Sequence, residues 1–163
     1  MKRFILFGVA LAIILSLGAC TNEKSTANNK VENTTEESSV DVQKGYVFIA
    51  NVLTDCFEKT EITFTDASDI IDALIEKEAV SENVVLNSFH SVGKIGWVDL
   101  NEAFSEGAGA GTYAEWMWVG AIVNSFCESY KLEKLIITID GDVFVTGHHG
   151  SFDHFIEPYP NLV

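Results

Sequence analysis

The sequence predicts an α+β domain in which a mostly antiparallel sheet has two helices packed on one face. Paired runs of apolar and β-branched residues, separated by turn residues, indicate strands, and two stretches with helical periodicity indicate helices. Along the chain the order is strand, strand, helix, strand, strand, helix, strand, strand. Strand pairs that alternate with single helices favour a two-layer α+β architecture.

The N-terminal segment has the pattern of a bacterial lipoprotein signal peptide. Lys2 and Arg3 precede an uncharged apolar run from Phe4 to about Leu17, which is short for a membrane-spanning helix. The run ends in a lipobox, Leu17-Gly18-Ala19-Cys20. We therefore expect residues 1–19 to be removed and Cys20 to carry a diacylglyceryl group on the outer face of the cell membrane. An uncleaved anchor, or ordinary secretion with a chance cysteine, is the alternative.

Residues 20–44, which begin with the lipidated cysteine, are predicted to form a disordered tether. The stretch Thr21 to Gln43 is rich in Asn, Thr, Ser, Glu and Lys and contains no aromatic residue. Such a composition cannot bury enough apolar surface to offset the entropy lost on ordering. The tether would let the domain, residues 45–163, reach away from the membrane.

The chain is strongly acidic, with 10 basic and 24 acidic residues and a net charge of −14. The signal segment holds two of the basic residues and no acidic one, which leaves the mature chain at −16. This charge argues against nucleic-acid binding, which needs clustered Lys and Arg. The expected partners are the membrane, through the lipid, and a protein of the cell envelope.

The domain begins with a predicted strand, Tyr46 to Leu53, whose apolar and β-branched residues suit the centre of a sheet. A second short strand is expected around Glu61 to Phe64, and Thr65 or Asp66 can cap the helix that follows. That helix has an apolar face and an acidic, solvated face. The apolar face consists of Ala67, Ile70, Ile71, Leu74 and Ile75. The acidic face consists of Asp69, Asp72 and Glu76.

Two further strands, Asn83 to His90 and Lys94 to Leu100, are predicted with a tight connection between them. Asn101 to Ser105 could form a helical turn. The glycine-rich run Gly107 to Gly111 lacks the GxGxxG order, and no strand leads directly into it, so a nucleotide-binding loop is not expected. We expect this run to be a flexible connection to the next helix.

The helix that begins near Thr112 has the strongest signal in the sequence. The residues from Thr112 to Glu115 match a capping box, in which the Thr and Glu side chains satisfy free backbone N–H groups. Apolar residues recur along the helix, and we expect them to form core rather than a ligand-binding face. They are Trp116, Val119, Val123, Phe126 and Tyr130, widened by Met117, Ala121 and Ile122.

The chain continues with a predicted buried strand, Lys134 to Ile139, and a hairpin turn at Asp140-Gly141 into Asp142 to Thr146. Two cysteines of the domain, Cys56 and Cys127, have two interpretations. In an exported protein they could form a disulfide, or they could remain small core residues.

One cluster of side chains has catalytic or metal-binding potential: His148, His149, Asp153 and His154. Imidazole and carboxylate groups could bind zinc with an open coordination position. However, the spacing fits neither HExxH nor a zinc finger, and no GxSxG nucleophile turn occurs. The sequence therefore predicts no catalytic residue, metal ligand or cofactor, with an envelope hydrolase built on this cluster as the alternative.

Three segments of the domain follow one another in an order and spacing that are similar to those of a known domain family. Val98-Asp99-Leu100 leads into Asn101 to Phe104, a long helix leads to a strand closed by Ile139-Asp140-Gly141, and Gly147-His148 precedes an acidic and apolar tail. From about Tyr46 to Pro160 the chain resembles the GerMN domain family of sporulation and spore germination proteins. The resemblance implies a non-catalytic lipoprotein module in which Asp99 and His148 mark the fold rather than a metal site.

The leading hypothesis is a membrane-anchored module that binds or assembles partners in sporulation, spore germination or cell-envelope assembly. A sheet edge is the expected contact surface, because its unpaired backbone groups can accept a strand from a neighbour. The competing hypotheses are the envelope hydrolase and a lipoprotein that binds a small ligand, which would need a sizeable pocket.

Overall fold

Eight strands and three helices lie in residues 41–146 and 150–160, which are the part of the chain that the computed structural model describes. The strands are β1 (Gln43–Asn51), β2 (Cys56–Phe64), β3 (Leu86–Val92), β4 (Ile95–Leu100), β5 (Lys134–Ile139), β6 (Asp142–Val143), β7 (Val145–Thr146) and β8 (Gly150–Ser151). The helices are α1 (Ser68–Glu76), α2 (Glu102–Ala108) and α3 (Thr112–Tyr130).

The strands form three sheets, with the orders β1-β2, β3-β4-β5-β6 and β7-β8. Strands β4 and β5 are parallel, because α2 and α3 form the crossover between them, and the other pairs of the described chain are antiparallel. The predicted α+β class with mostly antiparallel strands is confirmed. The helical turn expected at Asn101 to Ser105 is the longer helix α2 (Glu102–Ala108), and the strands divide into separate sheets.

Strand β2 is longer than the sequence pattern predicts. All of its residues pair with β1, from Phe64 opposite Gln43 to Cys56 opposite Asn51. Glu58 and Lys59 lie exposed in its middle. Because these residues are charged, the first half of β2 lacks the apolar pattern by which a strand is predicted. The turn before it includes Asp55 at φ +52°, a left-handed conformation that Asp tolerates better than most residues.

A helix, rather than a strand, closes the second edge of β1. The backbone N–H groups of Tyr46 and Phe48 each donate to a serine hydroxyl at 2.9 Å, from Ser129 and Ser125 respectively. Four residues advance about 6 Å along a helix and two residues about 6.6 Å along a strand, so the two spacings match. The prediction that β1 lies in the centre of a sheet is therefore wrong, and this edge cannot accept a partner strand.

Helix α3 is buried on all sides in its central part. Every residue from Val119 to Cys127 is buried, and the helix contacts both β1 and β5. The predicted core role is confirmed for Val119, Val123 and Phe126, whereas Trp116 and Tyr130 are only partly buried. A helix that is apolar almost all round is expected where it packs against two layers at once.

Helix α2 packs closely against α3 because of a glycine. A Cβ atom at Gly107 would lie 2.0 Å from the Trp118 ring, so any larger residue would displace the indole. Gly107 and Ala108 belong to α2, and Ala108 is fully buried. The prediction that Gly107 to Gly111 is a flexible connection is therefore wrong for its first half.

Cys127 is a free thiol, so the alternative in which Cys56 and Cys127 form a disulfide is not realised. Cys127 is buried, and burial raises the pKa of its thiol to about 12. This thiol therefore stays protonated at neutral pH and is a poor nucleophile. Within the described ranges, no helix is long and apolar enough to cross a membrane.

Candidate functional site

The residues that the sequence singled out for chemistry do not form a site in the described structure. Cys20, His148 and His149 lie outside the described residues. Asp153 and His154 form a surface pair, with 3.6 Å between the carboxylate Oδ1 and the imidazole Nδ1 and about two thirds of each side chain exposed. Among the described residues, no group of three His, Cys, Asp or Glu side chains could hold a metal ion.

Asp99 has a structural role at the end of β4. Its Oδ1 atom accepts hydrogen bonds from the Thr138 hydroxyl at 2.6 Å and from the Gly141 N–H at 2.8 Å. Burial alone would raise the pKa of Asp99, but these hydrogen bonds and one from Asn87 outweigh burial and hold the pKa below its usual value. The carboxylate thus fixes the turn between β5 and β6.

Two open depressions adjoin at the first turn of α3. Their volumes are about 480 Å³ and about 350 Å³, and both are lined by Thr112 and Trp116. We name the combined surface the Trp116 cleft. Its lining residues are Asp55, Thr112, Tyr113, Glu115, Trp116, Phe152 and Tyr159.

Trp116 is held in place by rings on two sides. Its ring centroid is 4.6 Å from that of Phe57, a buried residue of β2, and 5.5 Å from that of Tyr113 in a stacked arrangement. Phe57 can reach this position because the α3 residue that it packs against is Gly120. A Cβ atom at Gly120 would lie 2.2 Å from the Phe57 ring. The indole is thus supported from below but remains partly exposed.

Glu115 contributes a buried carboxylate to the wall of the cleft. Only 4% of this residue is exposed, and its Oε2 atom accepts a short hydrogen bond from the hydroxyl of Thr146 in β7. The predicted capping box is wrong, since α3 begins after Gly111 without a side-chain cap. Glu115 therefore joins the helix to β7, and its position in the first turn of α3 suits a negative charge.

The far wall of the cleft comes from the segment after β8. Asn124 of α3 clamps Tyr159 at two points: the Tyr159 N–H donates to Asn124 Oδ1 at 2.8 Å, and Asn124 Nδ2 donates to the Tyr159 carbonyl at 3.3 Å. Burial, with a contribution from the Glu115 carboxylate, raises the pKa of the Tyr159 hydroxyl. This hydroxyl therefore stays neutral and available as a donor at physiological pH.

The electrostatic character of the cleft is acidic. The acidic lining residues are Asp55, whose Oδ1 accepts from the Tyr113 hydroxyl at 3.2 Å, and Glu115. The described lining residues include no Lys, Arg or His. Aromatic rings beside carboxylates make a surface that attracts organic cations and repels anions.

The sequence could not reveal this cleft, because its residues come from separate parts of the chain. Asp55 follows β1, Trp116 lies on α3 and Tyr159 follows β8, and nothing in their local sequence links them. The one available signal was Tyr113 beside Trp116 at a helix start, two large aromatic residues where a polar first turn is usual.

These observations define a class of α+β domain in which a short helix leads into a long buried helix, with an open aromatic cleft at its first turn. Within this class the chain has the GerMN fold. It aligns with the tandem GerMN domains of the sporulation protein GerM from Bacillus subtilis, with a TM-score of 0.52 and 13% identity. The match covers 81% of this chain and 49% of that one, so the chain spans about half the length of that structure.

A weaker likeness is to a candidate lipoprotein from Clostridium perfringens, with a TM-score of 0.47 and 14% identity over 72% of this chain and 87% of that one. A likeness at this score carries no structural argument. No protein-family model matches the chain, and no curated protein matches it. The GerMN resemblance is confirmed for the fold.

Proposed function

We propose that the protein is an extracytoplasmic lipoprotein, held to the cell membrane through Cys20, whose GerMN-like domain binds an envelope protein without catalysing a reaction. The Trp116 cleft is the observation that supports the binding role. It is open to solvent, and partly exposed Trp and Tyr side chains line it. Exposed aromatic surface of this kind is typical of recognition sites, because Trp and Tyr supply much of the contact energy at protein interfaces.

The fold suggests the setting, because GerM is a sporulation protein. Sporulation, spore germination and cell-envelope assembly all bring membrane-anchored proteins together outside the cytoplasm. The tether is predicted for residues 20–44, of which Gln43 and Lys44 prove to be the first two residues of β1. It would keep the domain near such partners and raise its effective concentration there. The excess of acidic residues would favour a partner with a basic surface.

Site-specific photo-crosslinking in the bacterium that makes the protein tests this proposal. A benzophenone side chain is placed at Tyr113, which is 43% exposed and lines the cleft. We expect one dominant adduct with an envelope protein, identified by mass spectrometry. The adduct should disappear when Trp116→Leu is added, because the partner then loses the main ring of the cleft.

The control position is Val92, which is 68% exposed at the turn between β3 and β4. Photo-crosslinking from Val92 should not give the same adduct. A partner captured from Val92 and not from Tyr113 would contradict binding at the cleft and would favour the edge strand β3 as the contact surface. No adduct at either position would contradict a partner-binding role for both surfaces.

A further inference from the structure

We propose that the Trp116 cleft takes the ammonium group of a lysine side chain, presented by a basic segment of the partner protein. This inference rests on the proposed function and names the chemistry that would carry it out. Three properties of the cleft support it: the rings that it exposes, the carboxylates that flank those rings, and its size.

The rings provide the first part of the argument. Both depressions are lined by Trp116, with Tyr113 adding ring surface to one and Phe152 and Tyr159 adding it to the other. The face of an aromatic ring attracts a cation, and Trp does so most strongly among the protein side chains. The apolar stem of a lysine can lie along the same rings while its charged end stays near water.

The carboxylates provide the second part. Asp55 lies at the turn before β2 and is exposed, whereas Glu115 is 96% buried in the wall, as its exposed fraction is 4%. A charge that is shielded from water acts over a longer distance than an exposed one, because the surrounding dielectric is lower. The described lining residues include no basic side chain. The two carboxylates would therefore attract an arriving cation, since together their charge exceeds the roughly half positive charge at the N-terminus of α3.

The size and chemistry of the cleft narrow the class of ligand. The two depressions, of about 480 Å³ and about 350 Å³ and both open to solvent, have ample room for the end of a long side chain of a partner. An anionic ligand would be repelled by Asp55 and Glu115. A neutral apolar ligand would gain nothing from either carboxylate.

Peptide binding to the full-length chain in a non-ionic detergent tests the inference. The probe is a capped, fluorescein-labelled pentapeptide with one central lysine, measured by fluorescence polarisation. The matched peptide has norleucine in place of lysine, which keeps the stem and removes the charge. We expect the lysine peptide to bind at least about tenfold more tightly than the norleucine peptide, and to shift the indole N–H signal of Trp116 in NMR spectra.

Variants of the protein locate the site. Trp116→Leu should weaken binding of the lysine peptide by about tenfold or more, while Trp97→Leu, at a partly exposed tryptophan stacked on His90 in the larger sheet, should leave it unchanged. Asp55→Asn should weaken it by about two- to fivefold, and Asp72→Asn, an exposed carboxylate on α1, should not. Glu115→Gln keeps an acceptor for Thr146 and removes only the charge, so it too should weaken binding.

Several results would overturn the inference. They are equal affinity for the norleucine peptide, tighter binding of choline than of the lysine peptide, and the same loss of binding in Trp97→Leu as in Trp116→Leu. These results leave the proposed function intact if photo-crosslinking at Tyr113 still captures a partner. Conversely, lysine binding without any adduct in cells would contradict the partner-binding role while supporting the chemistry of the cleft.

Discussion

Phe126 and Trp116 lie on the same helix, but the packing around them differs. Phe126 is fully buried, with its ring 5.2 Å from Phe89 and 6.2 Å from Tyr130. Trp116 is partly exposed and rests mainly on Phe57. The sequence predicts the same core role for both residues, because periodicity indicates which face a residue occupies and does not indicate how much of that face another element covers.

We expect Phe126→Ala to lower the free energy of unfolding by about 3–5 kcal/mol, the range for a buried aromatic residue. Trp116→Ala should cost less, because part of its ring already contacts water in the folded state. Urea unfolding followed by circular dichroism measures both values. Leu53→Ala, at a residue that is 91% exposed, is the control and should change stability by less than about 0.5 kcal/mol. Equal losses for Phe126 and Trp116 would show that Trp116 is core.

The contribution of Asp99 to the stability of the fold should depend on pH. Its pKa is lowered in the folded state, so its contribution to stability is present above the pKa of the unfolded chain, about 3.9. That contribution is lost as the pH falls through the lower, folded pKa. Asp99→Asn should therefore cost about 1 kcal/mol at neutral pH, a small value because solvent screens this partly exposed group, and the cost should shrink below about pH 4.

Stability measured by urea unfolding between neutral pH and about pH 3 checks this expectation. Asp142→Asn, at an exposed residue of β6, controls for the loss of one negative charge. A cost for Asp99→Asn that stayed constant across this range would show that the hydrogen-bonding geometry, rather than the charge, matters at this position.

At the scale of elements, the contact between β1 and α3 determines which strand edges are open to a partner. Ser125 and Ser129 occupy the backbone groups through which β1 would otherwise pair with another strand. An edge that is covered in this way is protected against unwanted pairing between chains. Within the described residues, β2 pairs only with β1 and β3 only with β4, so these two strands still have an edge that a partner could use.

We expect Ser125→Ala and Ser129→Ala each to cost about 1–3 kcal/mol, because each leaves a backbone N–H of β1 without its acceptor. Thermal unfolding measures the loss for each variant. Ser105→Ala is the comparison, since the hydroxyl of Ser105 makes only a long, exposed hydrogen bond of 3.5 Å to Val145. If all three variants had the same stability, water would have replaced the serines and the closed edge would be open to exchange.

The elements that the sequence predicted well are those with a local signal. Helix α1 buries Ile70, Ile71 and Leu74 as its periodicity predicts, and the Asp140-Gly141 turn has the positive φ angles of its type, +49° and +85°. The features that escaped prediction depend on distant residues. The exposed first half of β2 is a strand because it pairs with β1. Position 107 requires glycine because the ring of Trp118 leaves no room for a Cβ atom.

The whole molecule combines an acidic domain with a predicted lipid anchor and tether. We expect Cys20→Ala to release the protein from the membrane or to mislocalise it, because the diacylglyceryl group on Cys20 is the anchor that the sequence predicts. Fractionation of cells, followed by immunoblotting of the membrane and soluble fractions, checks this outcome. Val9→Ala, inside the apolar run, is the control and should stay in the membrane fraction. A processed Cys20→Ala protein that remained with the membrane would contradict lipid anchoring.

The clamp between Asn124 and Tyr159 has a consequence for exchange of amide hydrogens with solvent. Ile156 pairs with Leu135 of β5, and beyond it two hydrogen bonds attach Tyr159 to α3. We therefore expect the part of the segment after Ile156 to open locally at a lower free energy than global unfolding requires. Opening would remove Tyr159 from the Trp116 cleft, and a ligand that needs Tyr159 would bind only the closed form. Such a ligand would slow deuterium uptake at the Tyr159 amide in proportion to its occupancy, which makes one amide a direct reporter of binding.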